Sequence, residues 1–496
     1  MRIILTLLFV LLSLGSGLTS PVQGISAKSD STQAPPVYIF IFIGDGMGEN
    51  HIQAAKQYTL QNPPYTDWFQ GWVSTYPFGG SYEPLRAWKD YDYVLQSLIT
   101  DSAAAATAIF SGQKTSNGRV NVSPDGVTRY QSITELARQL GLGVGAVTTV
   151  PISHATPAAW IAHNDSRLNG FAIANEGIWG NPNTTGDQSM PSYGGGHGIS
   201  DPPVDVLIGG GHPGWYLDNP YVDEKIRQKL IVENDLSGKH RFIERISGDP
   251  NGSARLLNLA RDNETLKLVG LFGGANGNIE YRLADGSGAN LENPSLNDMT
   301  LAAIQILNRN PKGFLLLVEG GAIDFASHRN NMDEMIGELI DFNSAIQTAI
   351  DWVNASFTPA NWSNTLMIVT ADHETGYLTQ APGITANLPL GEVSPRTLLL
   401  EKSCITSCWR ASWEDDNNNN EIDAGEVVYW AWNSPGHTNS LVPLYLYGTM
   451  KLPYSALIKG SDLIRGDYID NTDIYQIMKA TLLYRNSLYL PVIYHE

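Results

Sequence analysis

Ser102 opens an alanine-rich stretch whose residue types could act on an anion. Asp101 is a favourable N-cap residue, the alanines after Ser102 favour helix, and Gly112 is a typical helix end. A helix over 101–112 would place the Ser102 hydroxyl in the first turn, where unpaired backbone N–H groups and the helix dipole attract phosphate. An ordinary capped helix fits the same residues, so a catalytic role requires partners elsewhere in the chain.

Several carboxylate and imidazole side chains have the spacing of metal ligands. They are Asp324 and His328 four residues apart, the adjacent pair Asp372 and His373, and His437. Residues four apart share one face of a helix, and carboxylate oxygens together with imidazole nitrogens suit zinc. Glu319 and Thr156 add the oxygen ligands that magnesium prefers.

The segments that would position these residues have the pattern of buried strands. Apolar, β-rich runs over 37–43, 314–318 and 366–370 each end within two residues of a carboxylate, the first of them Asp45 in a glycine turn. Helical patterns alternate with the runs, as in a parallel sheet whose ligands collect beyond the carboxyl ends of its strands. The sequence therefore predicts an α/β fold, a three-layer sandwich with a central, mostly parallel sheet flanked by helices.

Other segments predict how this pattern is interrupted. Residues 61–99 show no clean period, so we expect surface excursions there, and we expect Thr156 to cap a helix with Pro157 at its first position. Residues 376–436 break the strand–helix alternation and predict a crown-like insertion.

The first 27 residues have the features of a secretory signal peptide. Arg2 precedes an apolar run over 3–14 that is too short to span a membrane, and small residues follow. We therefore expect an exported protein, periplasmic or extracellular, without membrane attachment.

Composition sets further bounds. The chain has 496 residues, of which 42% are hydrophobic, enough for a large core. A net charge of −19 argues against nucleic acid as a partner, although bound metal ions can reverse the local field for a phosphorylated substrate. Only two cysteines are present, Cys404 and Cys408, so disulfides do not hold the main fold, and this close pair could bridge in an oxidising compartment.

The insertion contains a possible calcium loop over 415–426. Oxygen-bearing residues recur there at EF-hand positions one, three, five, seven, nine and twelve, which are Asp415, Asn417, Asn419, Glu421 through its carbonyl, Asp423 and Glu426. Asn420 replaces the usual glycine and tolerates the left-handed conformation that position requires. A polar loop tip without calcium is the alternative.

Together these stretches resemble the alkaline phosphatase family, in the same order, from residue 42 to residue 439. The matching motifs are Phe42-Ile43-Gly44-Asp45-Gly46-Met47-Gly48, Thr100 to Gly112, His154-Ala155-Thr156-Pro157-Ala158-Ala159, Glu319-Gly320-Gly321, Asp324 to His328, Thr370-Ala371-Asp372-His373-Glu374-Thr375-Gly376 and His437-Thr438. The resemblance implies that residues 28–496 form a single catalytic domain with the insertion at about 376–436. It also implies a metal-dependent hydrolase of phosphate monoesters that binds inorganic phosphate and forms a homodimer.

The resemblance further implies a role for each site residue. Ser102 would be the nucleophile of a phosphoserine intermediate, and Arg167 would bind the phosphoryl oxygens. The metals would be two Zn²⁺ and one Mg²⁺, with one zinc on Asp324, His328 and His437, the other on Asp45, Asp372 and His373, and magnesium on Asp45, Thr156 and Glu319.

The chain also departs from the family's pattern. His154 stands where some members carry aspartate, which leaves the third metal open between magnesium, zinc and weak occupancy. Phe325 stands where others have lysine, histidine or tryptophan, and the glycine after Phe272 predicts that the calcium site of the animal enzymes is absent. A related phosphodiesterase or sulfatase, or a secreted calcium-dependent binding protein with an inactive site, remain as alternatives.

Overall fold

The computed structural model describes residues 35–96, 98–180, 204–234, 239–380, 411–413 and 428–487. The strands are β1 (Val37–Gly44), β2 (Phe69–Ser74), β3 (Gly143–Pro151), β4 (Val206–Gly210), β5 (Arg241–Glu244), β6 (Leu268–Leu271), β7 (Gly313–Gly320), β8 (Thr365–Thr370), β9 (Glu374–Thr375), β10 (Thr379–Gln380), β11 (Ala411–Trp413), β12 (Val428–Ala431), β13 (His437–Thr438), β14 (Val442–Gly448), β15 (Gly460–Asp462) and β16 (Gly466–Asp470). The helices are α1 (Glu49–Thr59), α2 (Pro84–Ala87), α3 (Tyr91–Gln96), α4 (Ser102–Ser111), α5 (Ile133–Gln139), α6 (Ala155–Ile161), α7 (Gly170–Trp179), α8 (Glu224–Glu233), α9 (Gly252–Arg261), α10 (Leu296–Leu307), α11 (Ala322–His328), α12 (Met332–Asn354) and α13 (Asn471–Ser487).

A large mixed sheet organises the described residues. Its strand order is β15-β16-β2-β14-β8-β1-β7-β3-β4-β6-β5. The run from β8 to β5 is parallel throughout, whereas β14 runs antiparallel to both β8 and β2. Every residue of the central strands β1, β7 and β8 is buried, as their continuous apolar runs predicted.

Helices cover the sheet and complete the predicted α/β sandwich. Helix α10 packs on α9, α12 and strands β3 and β7, while α13 packs on α4 and α5, and α4 packs on α6. The core is rich in large side chains, and Phe40, Phe314 and Trp352 contact one another through their rings. The prediction of a mostly parallel sheet flanked by helices is confirmed.

Two local predictions were wrong. Within 61–99 lies β2, a strand of the main sheet between β14 and β16, so this stretch is not wholly a surface excursion. Its alternation is hidden because Phe69 and Gln70 are exposed and Gly71 contributes no side chain. Thr156 is not an N-cap, because α6 begins at Ala155 and His154 holds the cap position without a side-chain cap bond.

The insertion predicted over 376–436 is described only in part. A small sheet in the order β10-β12-β11 and the ladder of β9 with β13 lie within or beside it. The predicted signal peptide, both cysteines and the predicted calcium ligands Asp415, Asn417, Asn419, Glu421, Asp423 and Glu426 lie outside the described residues. Among the helices that the structure describes, none combines the length and the apolar character needed to cross a membrane.

Candidate active site

Three carboxylates lie together where neighbouring parallel strands end. Asp45 directly follows β1, Glu319 is the last but one residue of β7, and Asp372 lies two residues after β8. Strand β1 lies between β7 and β8 in the sheet, and its Ile43 is in register with Glu319 of β7 and with Thr370 of β8. All three carboxylate side chains are fully buried at this edge of the sheet.

Helix α4 brings Ser102 to the same edge. Asp101 accepts a hydrogen bond from the backbone N–H of Ala104 at 2.9 Å, and Gly112 ends the helix with a φ of 70°. The predicted cap and helix end are therefore confirmed. Ser102 is the first residue of the helix, is buried, and its Oγ lies 3.1 Å from Nε2 of His373.

The first predicted metal-binding group comes together at the end of α11. Nε2 of His328 lies 3.3 Å from Oδ2 of Asp324 and 3.0 Å from Nε2 of His437. Nε2 of His437 lies 3.7 Å from Oδ1 of Asp324. Ligand atoms on a tetrahedral zinc ion are about 3.3 Å apart, so these spacings fit a shared cation.

The second group adjoins the first through His373. Its Nε2 lies 3.4 Å from Oδ1 of Asp45 and 3.2 Å from Oδ2 of Asp372. The His373 and His437 rings stack with centroids 3.6 Å apart. Possible ligand atoms of Asp324, His373 and His437 also lie within 4.8 Å of one another, so the two groups form one continuous cluster.

Contacts outside the cluster orient its side chains. Nδ1 of His328 lies 2.6 Å from the backbone carbonyl of Pro435, and Nδ1 of His437 lies 2.9 Å from that of Thr100. Because a carbonyl only accepts, each Nδ1 must carry a proton, which leaves Nε2 as the nitrogen that faces the cluster and could ligate a cation. Thr375 donates to Oδ1 of Asp324 at 2.5 Å and fixes that carboxylate as well.

Several buried oxygens at the strand ends have no hydrogen-bond partner within the described part of the chain. They are both carboxylate oxygens of Asp45, Oδ2 of Asp372, Oε1 of Glu319 and Oγ1 of Thr156. An unpaired buried oxygen is costly, and this set contains the hard ligands that Mg²⁺ prefers. The predicted third group of Asp45, Thr156 and Glu319 therefore fits a divalent cation.

The pKa values of the carboxyl groups in the cluster also favour a bound divalent cation. Burial, with Asp372 and Asp324 nearby, raises the pKa of Asp45 well above its usual range. Burial also raises the pKa of Glu319 to about 8 and that of Asp372 to about 7. For Asp324, burial is outweighed by His328 and the other imidazoles, which hold its pKa far below normal. A bound cation would let the first three carboxylates release their protons.

Arg167 reaches the site from the loop after α6. Its Nη1 donates to Oδ2 of Asp101 at 3.0 Å, and its Nη2 lies 3.1 Å from Nε2 of His154. Burial lowers the pKa of the His154 imidazole to about 3, and Arg167 adds to that shift, so the ring is neutral. Asp101 thus joins the start of the Ser102 helix to a guanidinium group.

Some side chains of the site were not identified from the sequence. Thr148 donates a hydrogen bond to Glu319, and Thr375 donates to Asp324. Thr375 lies within 370–376, one of the segments that resemble the family, whereas nothing in the sequence around Thr148 distinguishes it. Tyr221, whose ring packs against His154, comes from a loop with no recognisable signal.

Comparison with known proteins agrees with this geometry. The family model described as "Alkaline phosphatase" matches residues 38–484. Alkaline phosphatase 4 of Bacillus subtilis is 30% identical over 491 residues, covering 90% of this chain and 91% of the relative. The Escherichia coli K12 alkaline phosphatase is 29% identical over 487 residues, covering 93% and 89%. The solved alkaline phosphatase of the Antarctic bacterium TAB5 has 23% identity and a TM-score of 0.56, covering 92% of this chain and 100% of that chain, and shows the same fold. The chain belongs to the alkaline phosphatase family of phosphoric monoester hydrolases.

Proposed function

We propose that this chain hydrolyses phosphate monoesters through a phosphoserine on Ser102, at a centre of two zinc ions and one magnesium ion. One observation carries the proposal. Oγ of Ser102 lies 3.1 Å from Nε2 of His373, the residue through which the two groups of Asp and His side chains adjoin.

The three groups of side chains divide the metals between them. Asp324, His328 and His437 would hold one zinc, and Asp45, Asp372 and His373 would hold the other. Asp45, Thr156 and Glu319 would hold magnesium through their oxygens, and His154 lies two residues before Thr156 in the chain. When bound, these ions favour the serine alkoxide and neutralise the departing oxygen of the ester.

The chain's own residues prepare the attack. The N-terminus of α4 directs backbone N–H groups and its dipole towards an anion beside Ser102. Within the described part of the chain, Arg167 uses two of its five side-chain N–H groups on Asp101 and His154, which leaves the others for phosphoryl oxygens. Its planar fork can bind two of those oxygens, a geometry that lysine does not offer.

The reaction then proceeds in two steps, transfer of the phosphoryl group to Ser102 and hydrolysis of the phosphoserine. Oγ of Ser102 bonds to phosphorus as the bond from phosphorus to the ester oxygen breaks, and the alcohol leaves with the hydroxyl proton in the overall balance. Water next attacks the phosphoserine, which restores the hydroxyl and releases inorganic phosphate.

Export and calcium binding at 415–426 belong to the same proposal and are supported by the sequence features described above. Homodimer formation also belongs to it and is supported by the family resemblance. Mass spectrometry of the secreted protein tests cleavage after about residue 27. Light scattering tests the dimer. Calorimetry on metal-stripped protein, with and without the paired substitutions Asp415→Ala and Glu426→Ala, tests calcium binding.

Substrate comparison tests the proposed activity. The purified protein is assayed with aryl phosphate monoesters, matched diesters and aryl sulfates, before and after treatment with a chelator. We expect the monoester to be turned over fastest, activity to disappear with the chelator and to return with zinc and magnesium. Faster turnover of the diester or the sulfate would contradict the proposal in favour of the related enzymes. The matched controls are Ser102→Ala and Ser111→Ala, since Ser111 lies at the other end of the same helix.

A further inference from the structure

Arg167 is held between two acceptors of different kinds. Oδ2 of Asp101 accepts from Nη1, and Nε2 of His154 lies 3.1 Å from Nη2. Arginine has no acceptor, so this imidazole nitrogen must carry no proton and must accept. Nδ1 of His154 is buried and has no hydrogen-bond partner within the described residues. Among the described residues, the orientation of the ring is therefore not fixed by a hydrogen bond at Nδ1.

Aromatic packing supplies that orientation. The His154 ring meets the Tyr221 ring edge to face, with centroids 5.7 Å apart and an interplanar angle of 63°. The Phe325 ring contacts it at 5.6 Å and 53°. Edge-to-face contacts of this kind favour a defined ring angle. Two aromatic side chains thus determine where the acceptor nitrogen of His154 points.

Tyr221 is in turn fixed by its own loop. The Asn219 side chain accepts from the backbone N–H of Tyr221 at 2.8 Å, and Ser153 Oγ donates to the Tyr221 carbonyl at 2.8 Å. The first residue of α7, Gly170, packs so closely that an added Cβ would lie 2.7 Å from Cα of Tyr221. These contacts hold the backbone of Tyr221 in place, and with it the position from which the ring extends.

We infer that Tyr221 is a positioning residue that sets phosphate affinity by orienting His154, and through it Arg167. The inference rests on the proposed function, because it assumes that Arg167 binds the phosphoryl group. Tyr221 need not touch the substrate. Its ring, rather than its hydroxyl, carries the role, since the ring makes the contact with His154. The Tyr221 hydroxyl also interacts electrostatically with Arg167, and Tyr221→Phe tests that contribution separately.

Paired substitutions of Tyr221 test the inference. The readouts are the dissociation constant of inorganic phosphate by calorimetry, KM and kcat for an aryl phosphate, and bound zinc and magnesium by elemental analysis at saturating magnesium. Losing an oriented hydrogen bond to a charged group weakens binding about tenfold, so we expect Tyr221→Leu to raise the phosphate dissociation constant about tenfold. We expect kcat to change less than KM. Tyr221→Phe should stay within about twofold of wild type, because it retains the ring.

A second set of variants separates positioning from general loss of packing. His154→Leu should weaken phosphate binding as much as Tyr221→Leu, and the double variant should be no weaker than His154→Leu alone. Tyr447→Leu, which removes a partly exposed ring that stacks on Trp68, should leave phosphate binding unchanged. Equal metal content in all variants excludes an indirect effect through the third site.

Two results would overturn the inference. One is wild-type phosphate affinity in Tyr221→Leu or, if that variant does not fold, in His154→Leu. The other is a double variant that binds phosphate more weakly than His154→Leu by the full factor that Tyr221→Leu causes alone. That result would mean that Tyr221 contacts the substrate directly. Either outcome in a protein that still hydrolyses monoesters leaves the proposed function intact. An inactive wild-type protein contradicts the proposed function instead.

Discussion

Replacing Asp101 by Ala and by Asn separates two tasks that this one carboxylate performs. Oδ1 caps α4 through the backbone N–H of Ala104 at 2.9 Å. Oδ2 accepts from the backbone N–H of Gly118 at 2.9 Å and from Nη1 of Arg167 at 3.0 Å. The first contact stabilises the helix, whereas the last holds the guanidinium group that we propose binds phosphate.

The two substitutions differ in what they retain. Loss of an N-cap costs about 1 kcal/mol of unfolding free energy, and loss of the Gly118 hydrogen bond costs about another 1 kcal/mol. The ion pair with Arg167 is about a fifth exposed on each side and adds at most about 1 kcal/mol. Asp101→Ala should therefore cost about 2–3 kcal/mol. Asp101→Asn keeps an amide oxygen for the cap and should cost about 1 kcal/mol less.

Phosphate affinity should respond differently from stability. Both variants lose the charged acceptor of Arg167, so both should weaken phosphate binding about fivefold, the equivalent of about 1 kcal/mol. Scanning calorimetry of the metal-loaded protein and titration with phosphate measure the two effects. Ser295→Ala is the matched control, because Ser295 caps α10 through the backbone N–H of Asp298 and makes no contact with Arg167 among the described residues. Wild-type phosphate affinity in Asp101→Asn would refute the reasoning, as would equal destabilisation by Asn and Ala.

Three further predictions concern stability and metal binding. Burial raises the pKa of Glu338 to about 8, so the unfolded chain releases this proton at lower pH than the native one and stability falls between about pH 4.5 and 8. Glu338→Gln should thus gain a few kcal/mol over wild type at pH 9 and nearly nothing at pH 4 by denaturant unfolding, and an equal gain at both values would contradict this. The raised pKa values of Glu319 and Asp372 act in the same direction, so the metal-stripped protein should lose more thermal stability between pH 5 and pH 8 than the protein loaded with zinc and magnesium, in which the contribution of Glu338 remains; an equal pH dependence with and without metal would count against it. Gly46→Ala, at a φ of 73°, would place a Cβ 2.8 Å from Oδ1 of Asp324 and from Oγ1 of Thr375, which donates to that carboxylate, so zinc retention against a chelator should fall at least about tenfold. Gly118→Ala, at a φ of 83° in open space, should retain zinc.

Much of the architecture could be predicted because its signals are local. An apolar run such as 37–43 identifies a strand that is buried on both faces, and its end locates the Asp45 carboxylate. The Asp101 cap and the Gly112 end of α4 depend only on residues within a few positions. The strand ends then meet because parallel strands share one edge.

Long-range partners determine what could not be predicted. Strand β2 is stabilised by β14 and β16, which lie more than 350 residues away in sequence. Helix α6 begins at Ala155, one residue before Thr156, and a boundary shift of one or two residues lies below what a capping preference can specify. The contact of Tyr221 with His154 joins a loop to a helix start and leaves no pattern in either segment.

Direct detection of the covalent intermediate tests the central claim. The protein is mixed with a ³²P-labelled aryl phosphate, quenched in acid within milliseconds and digested, and the labelled peptide is sequenced by mass spectrometry. We predict one phosphate on Ser102, up to about one per chain, none in Ser102→Ala and normal labelling in Ser111→Ala. Turnover by wild type without label on Ser102, or wild-type turnover by Ser102→Ala, would contradict the phosphoserine mechanism.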